Sequence, residues 1–145
     1  MSVTIDLSGR VAVITGGARG IGYAAAQKML AAGAKAVALW DIDAAALQEA
    51  AAGLGSLGVV STDVVQLTDE NAVAEATAAV AARHGGIDIL VNNAGITGGN
   101  DLLWKLDPKI WRQVIDVNLI APFLVCHAVV PVMLKNGYGR IVNIA

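Results

Sequence analysis

The chain has a single cysteine, Cys126, which excludes an internal disulfide and fits a reducing compartment. It stands in an apolar run, where it reads as a small buried hydrophobe. No basic stripe is present. Ten Lys and Arg against twelve Asp and Glu leave a formal net charge of -2, which argues against a nucleic-acid surface. The N-terminal segment carries Asp6 and no long apolar core, so it does not read as a signal peptide. The longest apolar stretch, 119–134, contains His127, Pro122 and Pro131 and is shorter than a membrane span requires. These absences predict a cytoplasmic protein that binds neither nucleic acid nor membrane. The two histidines, His84 and His127, lack metal-ligand spacing, so no metal is expected. His84 closes a helical pattern, where a partly positive ring would complement the helix dipole. Repeats, linkers and low-complexity segments are lacking, beyond a richness in alanine.

A length of 145 residues allows one domain with a sizeable core. The hydrophobic share of 56% and mean hydropathy of +0.62 are high, as alanine and strands buried on both faces would produce. Strand and helix patterns alternate. Strands are predicted over 11–14, 36–40, 58–62, 87–91 and 140–144, and helices over 20–32, 43–52, 68–83 and 108–136. Thr68 reads as the cap of the third helix, which ends at Arg83, His84 and Gly85. Asp107 reads as the cap of the fourth, with Pro108 at its first position. The alternation gives an α/β fold with a doubly wound parallel sheet of the Rossmann type.

The run from Val11 to Gly22, VAVITGGARGIG, carries the first chemical signal. A buried strand feeds Gly16, where the chain must turn sharply. Gly20 lets backbone approach a pyrophosphate, and Gly22 lets the helix pack closely on the strand. The unpaired N–H groups and dipole of the helix start then attract the anion. Along that helix Ile21, Ala25 and Met29 form one predicted apolar row, and Gly33 is a natural stop. The spacing is G-x-x-x-G-x-G, not the commoner G-x-G-x-x-G.

The second strand ends in Asp41, about 20 residues beyond the glycine turn, where an acid holds a ribose 2′-hydroxyl. A carboxylate there repels a 2′-phosphate and favours NAD over NADP. Arg19 acts the other way, since a guanidinium beside the ribose holds a phosphate. Asp41 carries more weight because it would face the ribose directly; Ile42 next to it belongs to the same candidate site.

At this point the chain resembles the short-chain dehydrogenases/reductases. The matching segments are Thr15–Gly22, Asp63-Val64, Asn92-Asn93-Ala94-Gly95, Asn118 within Asp116–Leu119, and Gly139–Ile144, which together run the length of the chain. The resemblance implies a strand order of 3-2-1-4-5, truncated before the last strands. It implies that Asp63 binds the adenine amino group with Val64 against the ring, and that Asn93, Ala94 and Gly95 line the cofactor. It implies that Asn118 is the catalytic asparagine, which helps to hold a water in a proton relay. Residues 1–145 would then form one NAD(P)-binding Rossmann domain, incomplete on its C-terminal side.

The family's serine and its Tyr-x-x-x-Lys pair do not occur in these residues, so this chain alone should be inactive. The expected activity of the parent enzyme is hydride transfer between NAD(H) and an alcohol or ketone of sugar, hydroxy-acid or oxoacyl type. The alternative is a short, non-catalytic nucleotide-cofactor-binding or interaction protein. The loop 96–106 follows the fourth strand and reads as a substrate rim or a plain surface loop. The apolar excess of the helix near 108–136 predicts a homodimer or homotetramer through that element. Within it, Pro122 removes the partner of the Asn118 carbonyl, which either leaves that acceptor free for the relay water or marks an ordinary kink.

Overall fold

The computed structural model describes residues 4–145. The five predicted strands form at β1 Val11–Thr15, β2 Ala36–Asp41, β3 Val60–Val64, β4 Ile89–Asn92 and β5 Arg140–Asn143. They build one parallel sheet in the order β3-β2-β1-β4-β5, as expected. The helices are α1 Gly20–Ala31, α2 Ala44–Leu54, α3 Glu70–His84, α4 Pro108–Ile115 and α5 Ala121–Asn136.

The period-two alternation of each strand divides the core into two layers. Ala12, Ile14, Val37, Leu39 and Val91 face α1 and α2. Val11, Val13, Ala38, Trp40 and Leu90 face α3 and α5. With helices on both faces, the central strands are apolar throughout, and every residue of β1 is buried. β3 and β5 are the edge strands, and on β5 Ile141 and Val142 remain 41% and 47% exposed.

Several local expectations shift. β3 starts and ends two residues later than predicted, so Asp63 and Val64 lie inside the strand rather than after it. On α1 the buried row is Gly22, Ala26 and Leu30; Ile21 is 63% exposed. The row turns by one residue because Gly22 is the position with no side chain to hold the helix away from the glycine turn. Asp69, not Thr68, caps α3: its carboxylate accepts from the Asn71 and Ala72 N–H groups at 2.9 and 3.1 Å. Asp107 and Pro108 start α4 as predicted.

The predicted helix over 108–136 is divided by a π-turn at Asp116–Ile120, where the Ala121 N–H donates to the Asp116 carbonyl. The helix irregularity thus comes before Pro122, in the form of a widened turn. The helical run Pro108–Asn136, 29 residues, is long and apolar enough to cross a membrane by length and composition. That exceeds what the apolar stretch alone suggested. Its buried row, Ala121, Val125, Val129 and Met133, lies against the sheet.

One side chain joins the two halves of the sheet. The Thr15 hydroxyl, at the end of β1, accepts from the Asn93 and Ala94 N–H groups at 3.0 Å each, just beyond β4. Thr15 is 2% exposed. Replacing it with the isosteric valine leaves both amides without that acceptor, so Thr15→Val should cost about 2–3 kcal/mol in urea unfolding. An unchanged midpoint would show that the clamp is dispensable.

His84 departs from its predicted role. Burial, then the nearby Arg83 and Lys35, push its pKa below the usual 6.5, against an opposing pull from Asp63. The ring is held neutral, 2.9 Å from the Ser61 hydroxyl, and the cation at the α3 end is Lys35, whose Nζ donates to the His84 carbonyl at 2.7 Å. A base with a lowered folded pKa gives stability that is present above the unfolded value of 6.5 and is lost as pH falls through the lowered one. Melting temperature should therefore drop as pH falls below about 6.5, and His84→Gln should flatten that slope. Equal slopes in the two proteins would remove His84 as the cause.

Candidate functional site

A cleft of about 370 Å³ opens at the carboxyl ends of the strands, on the side where the chain order reverses between β1 and β4. Five segments line it: Gly16 from the glycine turn, Asp41 and Ile42 after β2, Val65–Thr68 after β3, Asn93–Ile96 after β4, and Gln113 and Val117 from the helical layer. Of the predicted site residues, Gly16, Asp41, Ile42, Asn93, Ala94 and Gly95 meet there. Gly22 is buried beneath the turn, and Arg19, Gly20 and Ile21 lie exposed along its outer side.

The glycines do separable work. Gly16 adopts φ +61°, and a Cβ there would stand 3.0 Å from Ala94 Cα. At Gly22 a Cβ would run into the Gly16 carbonyl and within 2.7 Å of Asn93 Nδ2. Gly20 also has positive φ, +55°, yet nothing lies within 4 Å of the place a Cβ would take. Its need for glycine is conformational, and the space beside it is open. Gly17, which sequence reasoning passed over, is as constrained: a Cβ would sit 2.9 Å from the Ile14 carbonyl and from Leu39 Cδ2.

The helix starts differ from one another. Asp43, Asp69 and Asp107 cap α2, α3 and α4 with their side chains. α1 begins after Arg19 with no side-chain cap. Its first-turn N–H groups are therefore left for another acceptor.

Asp41 is oriented by backbone. Its carboxylate accepts from the Ile42 and Asp43 N–H groups at 2.8 and 3.2 Å and from the Ala18 N–H at 3.4 Å. The last bond ties the end of β2 to the glycine turn. Arg19 is paired with Asp43, Nη2 to Oδ2 at 2.7 Å. The Ala46 N–H, and after it Arg19, hold the Asp43 carboxyl below the usual carboxylate range.

Asp63 and Val64 do not belong to the cleft. Asp63 pairs with Arg83 through both carboxylate oxygens, at 3.0 and 3.3 Å, and Val64 is 61% exposed. Because β3 ends two residues later than predicted, the chain reaches the cleft only at Val65–Thr68. Gln66 and Leu67 thus stand where Asp63 and Val64 were expected, and the Gln66 amide is steadied by Nε2–H donation to the Thr68 hydroxyl at 2.8 Å. The signal that would have found them is the spacing back from the α3 cap: with Asp69 rather than Thr68 as cap, the loop before the helix begins at Val65.

Two asparagines shape the far wall. Asn93 Nδ2 donates to the Thr15 and Gly16 carbonyls at 3.0 and 3.1 Å, which fixes the glycine turn against the β4 loop. Asn118, in the π-turn, holds Ile96 by both ends of its amide: Oδ1 accepts from the Ile96 N–H at 2.8 Å, and Nδ2 donates to the Ile96 carbonyl at 2.9 Å. One N–H and one oxygen lone pair of its amide are thus engaged by the loop, and Asn118 is otherwise exposed.

Comparison with known proteins follows this geometry. The family model described as short chain dehydrogenase matches residues 10–145. The chain is 45% identical over 138 residues to 2-dehydro-3-deoxy-L-rhamnonate dehydrogenase (NAD(+)) of Sphingomonas sp. (strain SKA58), covering 95% of this chain and 54% of that protein. Among solved structures it is similar to an NAD+-bound xylitol dehydrogenase, with a TM-score of 0.92 and 33% identity, over 94% of this chain and 53% of that one. It is also similar to a metagenomic short-chain oxidoreductase in complex with NADP, with a TM-score of 0.89 and 38% identity, over 96% and 63%. The chain spans roughly half to three-fifths of the length of these relatives. A parallel 3-2-1-4-5 sheet, a glycine turn closed by Asn93 and a family match over nearly every residue agree: the chain belongs to the short-chain dehydrogenase family.

Proposed function

We propose that the protein is an oxidoreductase that moves a hydride between NAD(H) and an alcohol or ketone carbon, and that residues 1–145 are its cofactor-binding domain. The observation that carries this reading is the uncapped start of α1 beside an open glycine. Three other helices spend an aspartate on their first N–H groups, and the one that opens at Gly20 does not. Its free donors and positive dipole end suit a pyrophosphate, and the open side of Gly20 lets that group approach the backbone.

The remaining residues fit the rest of a dinucleotide. The Asp41 carboxylate would accept from the ribose hydroxyls, which supports NAD over NADP. Ile42 and Leu67 offer apolar surface to the base, and Gln66 Oε1 is an acceptor for its amino group. Asn93, Ala94, Gly95 and Ile96 would form the wall behind the nicotinamide, which supplies the hydride acceptor when bound. Asn118 pins that wall through Ile96, and its main-chain carbonyl is the acceptor assigned to a relay water, with Pro122 unable to donate to it. The proposal places the proton donor outside residues 1–145, which contain no Tyr-x-x-x-Lys.

The substrate is proposed to be a sugar-derived alcohol or carbonyl, a choice supported by the names of the rhamnonate and xylitol enzymes. A homodimer or homotetramer through 108–136 is supported by the exposure of Trp111, Leu119, Phe123 and Leu134. A cytoplasmic location rests on the single cysteine.

The full-length protein should enhance NADH fluorescence on binding and bind NADPH more weakly. It should reduce NAD+ with a member of a panel of sugar acids and polyols. No fluorescence change with either dinucleotide would end the proposal. Asn118→Ala, with folding verified by circular dichroism, should lower kcat about 100-fold, in the range of a lost proton-transfer arrangement. Unchanged turnover would remove the Asn118 side chain, and its hold on Ile96, from the mechanism.

A further inference from the structure

Arg19 and Asp41 pull cofactor choice in opposite directions, and the structure contains a third residue that bears on the contest. We propose that Asp43 is a specificity-determining residue: it occupies the Arg19 guanidinium and so denies it to a 2′-phosphate. The proposal rests on the dinucleotide reading above and deepens it.

Three observations carry it. Arg19 Nη2 stands 2.7 Å from Asp43 Oδ2, although the Arg19 side chain is 72% exposed and other positions were open to it. The Asp43 carboxylate is not free to follow Arg19 elsewhere, because its other oxygen accepts the Ala46 N–H at 3.0 Å and caps α2. The Asp43 N–H also donates to Asp41 Oδ1 at 3.2 Å, which holds the two acids on one short turn. This corner therefore presents two carboxylates and one guanidinium. A ribose diol finds acceptors there, while a phosphate dianion meets a net negative corner and must share its one cation with an anchored acid. Exposed ion pairs are weak on their own. The anchoring of Asp43 is what matters, since its charge stays in place even when Arg19 moves.

The test uses Asp43→Asn in the full-length protein, because asparagine keeps an acceptor for the Ala46 N–H while dropping the charge. Equilibrium constants for NADH and NADPH are read by fluorescence titration. The expected result is about tenfold tighter NADPH binding with NADH changed less than about twofold. Arg19→Ala should abolish that gain in the Asp43→Asn background and cost much less NADPH affinity in the wild type.

An unchanged NADPH-to-NADH ratio in Asp43→Asn, with wild type still binding NADH, overturns this inference alone. So does an equal cost of Arg19→Ala in both backgrounds, because Arg19 would then already be free. A tenfold loss of NADH affinity in Asp43→Asn makes Asp43 a structural cap and also overturns it. A wild type that binds neither dinucleotide removes the underlying reading, and the inference with it.

Discussion

The Thr15 hydroxyl is the point on which the cleft depends. Parallel strands carry no hairpin to fix their ends, so something must hold the carboxyl ends of β1 and β4 in register where their chains diverge. Here one buried oxygen accepts two successive N–H groups of the β4 loop. Asn93 then returns two bonds to the Thr15 and Gly16 carbonyls. The glycine turn and the β4 loop thus form one rigid unit. That unit explains why Gly16 and Gly22 have no room for a side chain: each approaches Asn93 or Ala94 too closely. Preorganisation of this kind sets a ligand site on the sheet rather than on mobile loops.

The distribution of aspartates around the cleft follows a second constraint. An acid at a helix start satisfies orphan donors and complements the dipole. Asp43, Asp69 and Asp107 do this for α2, α3 and α4. At α1 the sequence places Arg19 instead, which has no acceptor. The missing cap is a local cost to α1, one that a bound anion would offset. Asp41 is satisfied by backbone donors and stays aimed at the same region. The uncapped start of α1 thus seeks an anion, while Asp41, tied to the same glycine turn through the Ala18 N–H, repels one.

The order of elements was legible because strands buried on both faces leave unbroken apolar runs, and because Asp107-Pro108 is a strong local start and Gly33 a strong local stop. It was poorer at boundaries, and one boundary mattered. β3 reads VSTDV, with polar residues that look like a loop. Pairing with β2 carries it on to Val64, opposite Asp41. Tertiary hydrogen bonding overrode a weak local preference. The consequence is that the cleft wall after β3 holds Gln66 and Leu67, three residues beyond the expected Asp63 and Val64. The α1 face was misread for a related reason. An amphipathic pattern ranks Ile21 above Gly22, but a close approach to the Gly16 carbonyl selects the residue with no side chain.

The π-turn at Asp116–Ile120 shows how a proline signal can be right in kind and displaced in place. Pro122 has no N–H, and its ring crowds the preceding turn, so a regular α-helix could not pass through it unchanged. The chain responds upstream, with the Ala121 N–H reaching back to Asp116. The extra residue in that turn alters which face the next residues present. Asn118 falls within it, and from there its amide holds Ile96 at the end of the β4 loop. A widened turn is a rare helix feature, frequent at functional sites. Here the Asn118 side chain holds the wall formed by the β4 loop, so the proline, the π-turn and the asparagine act as a single device for shaping the cleft.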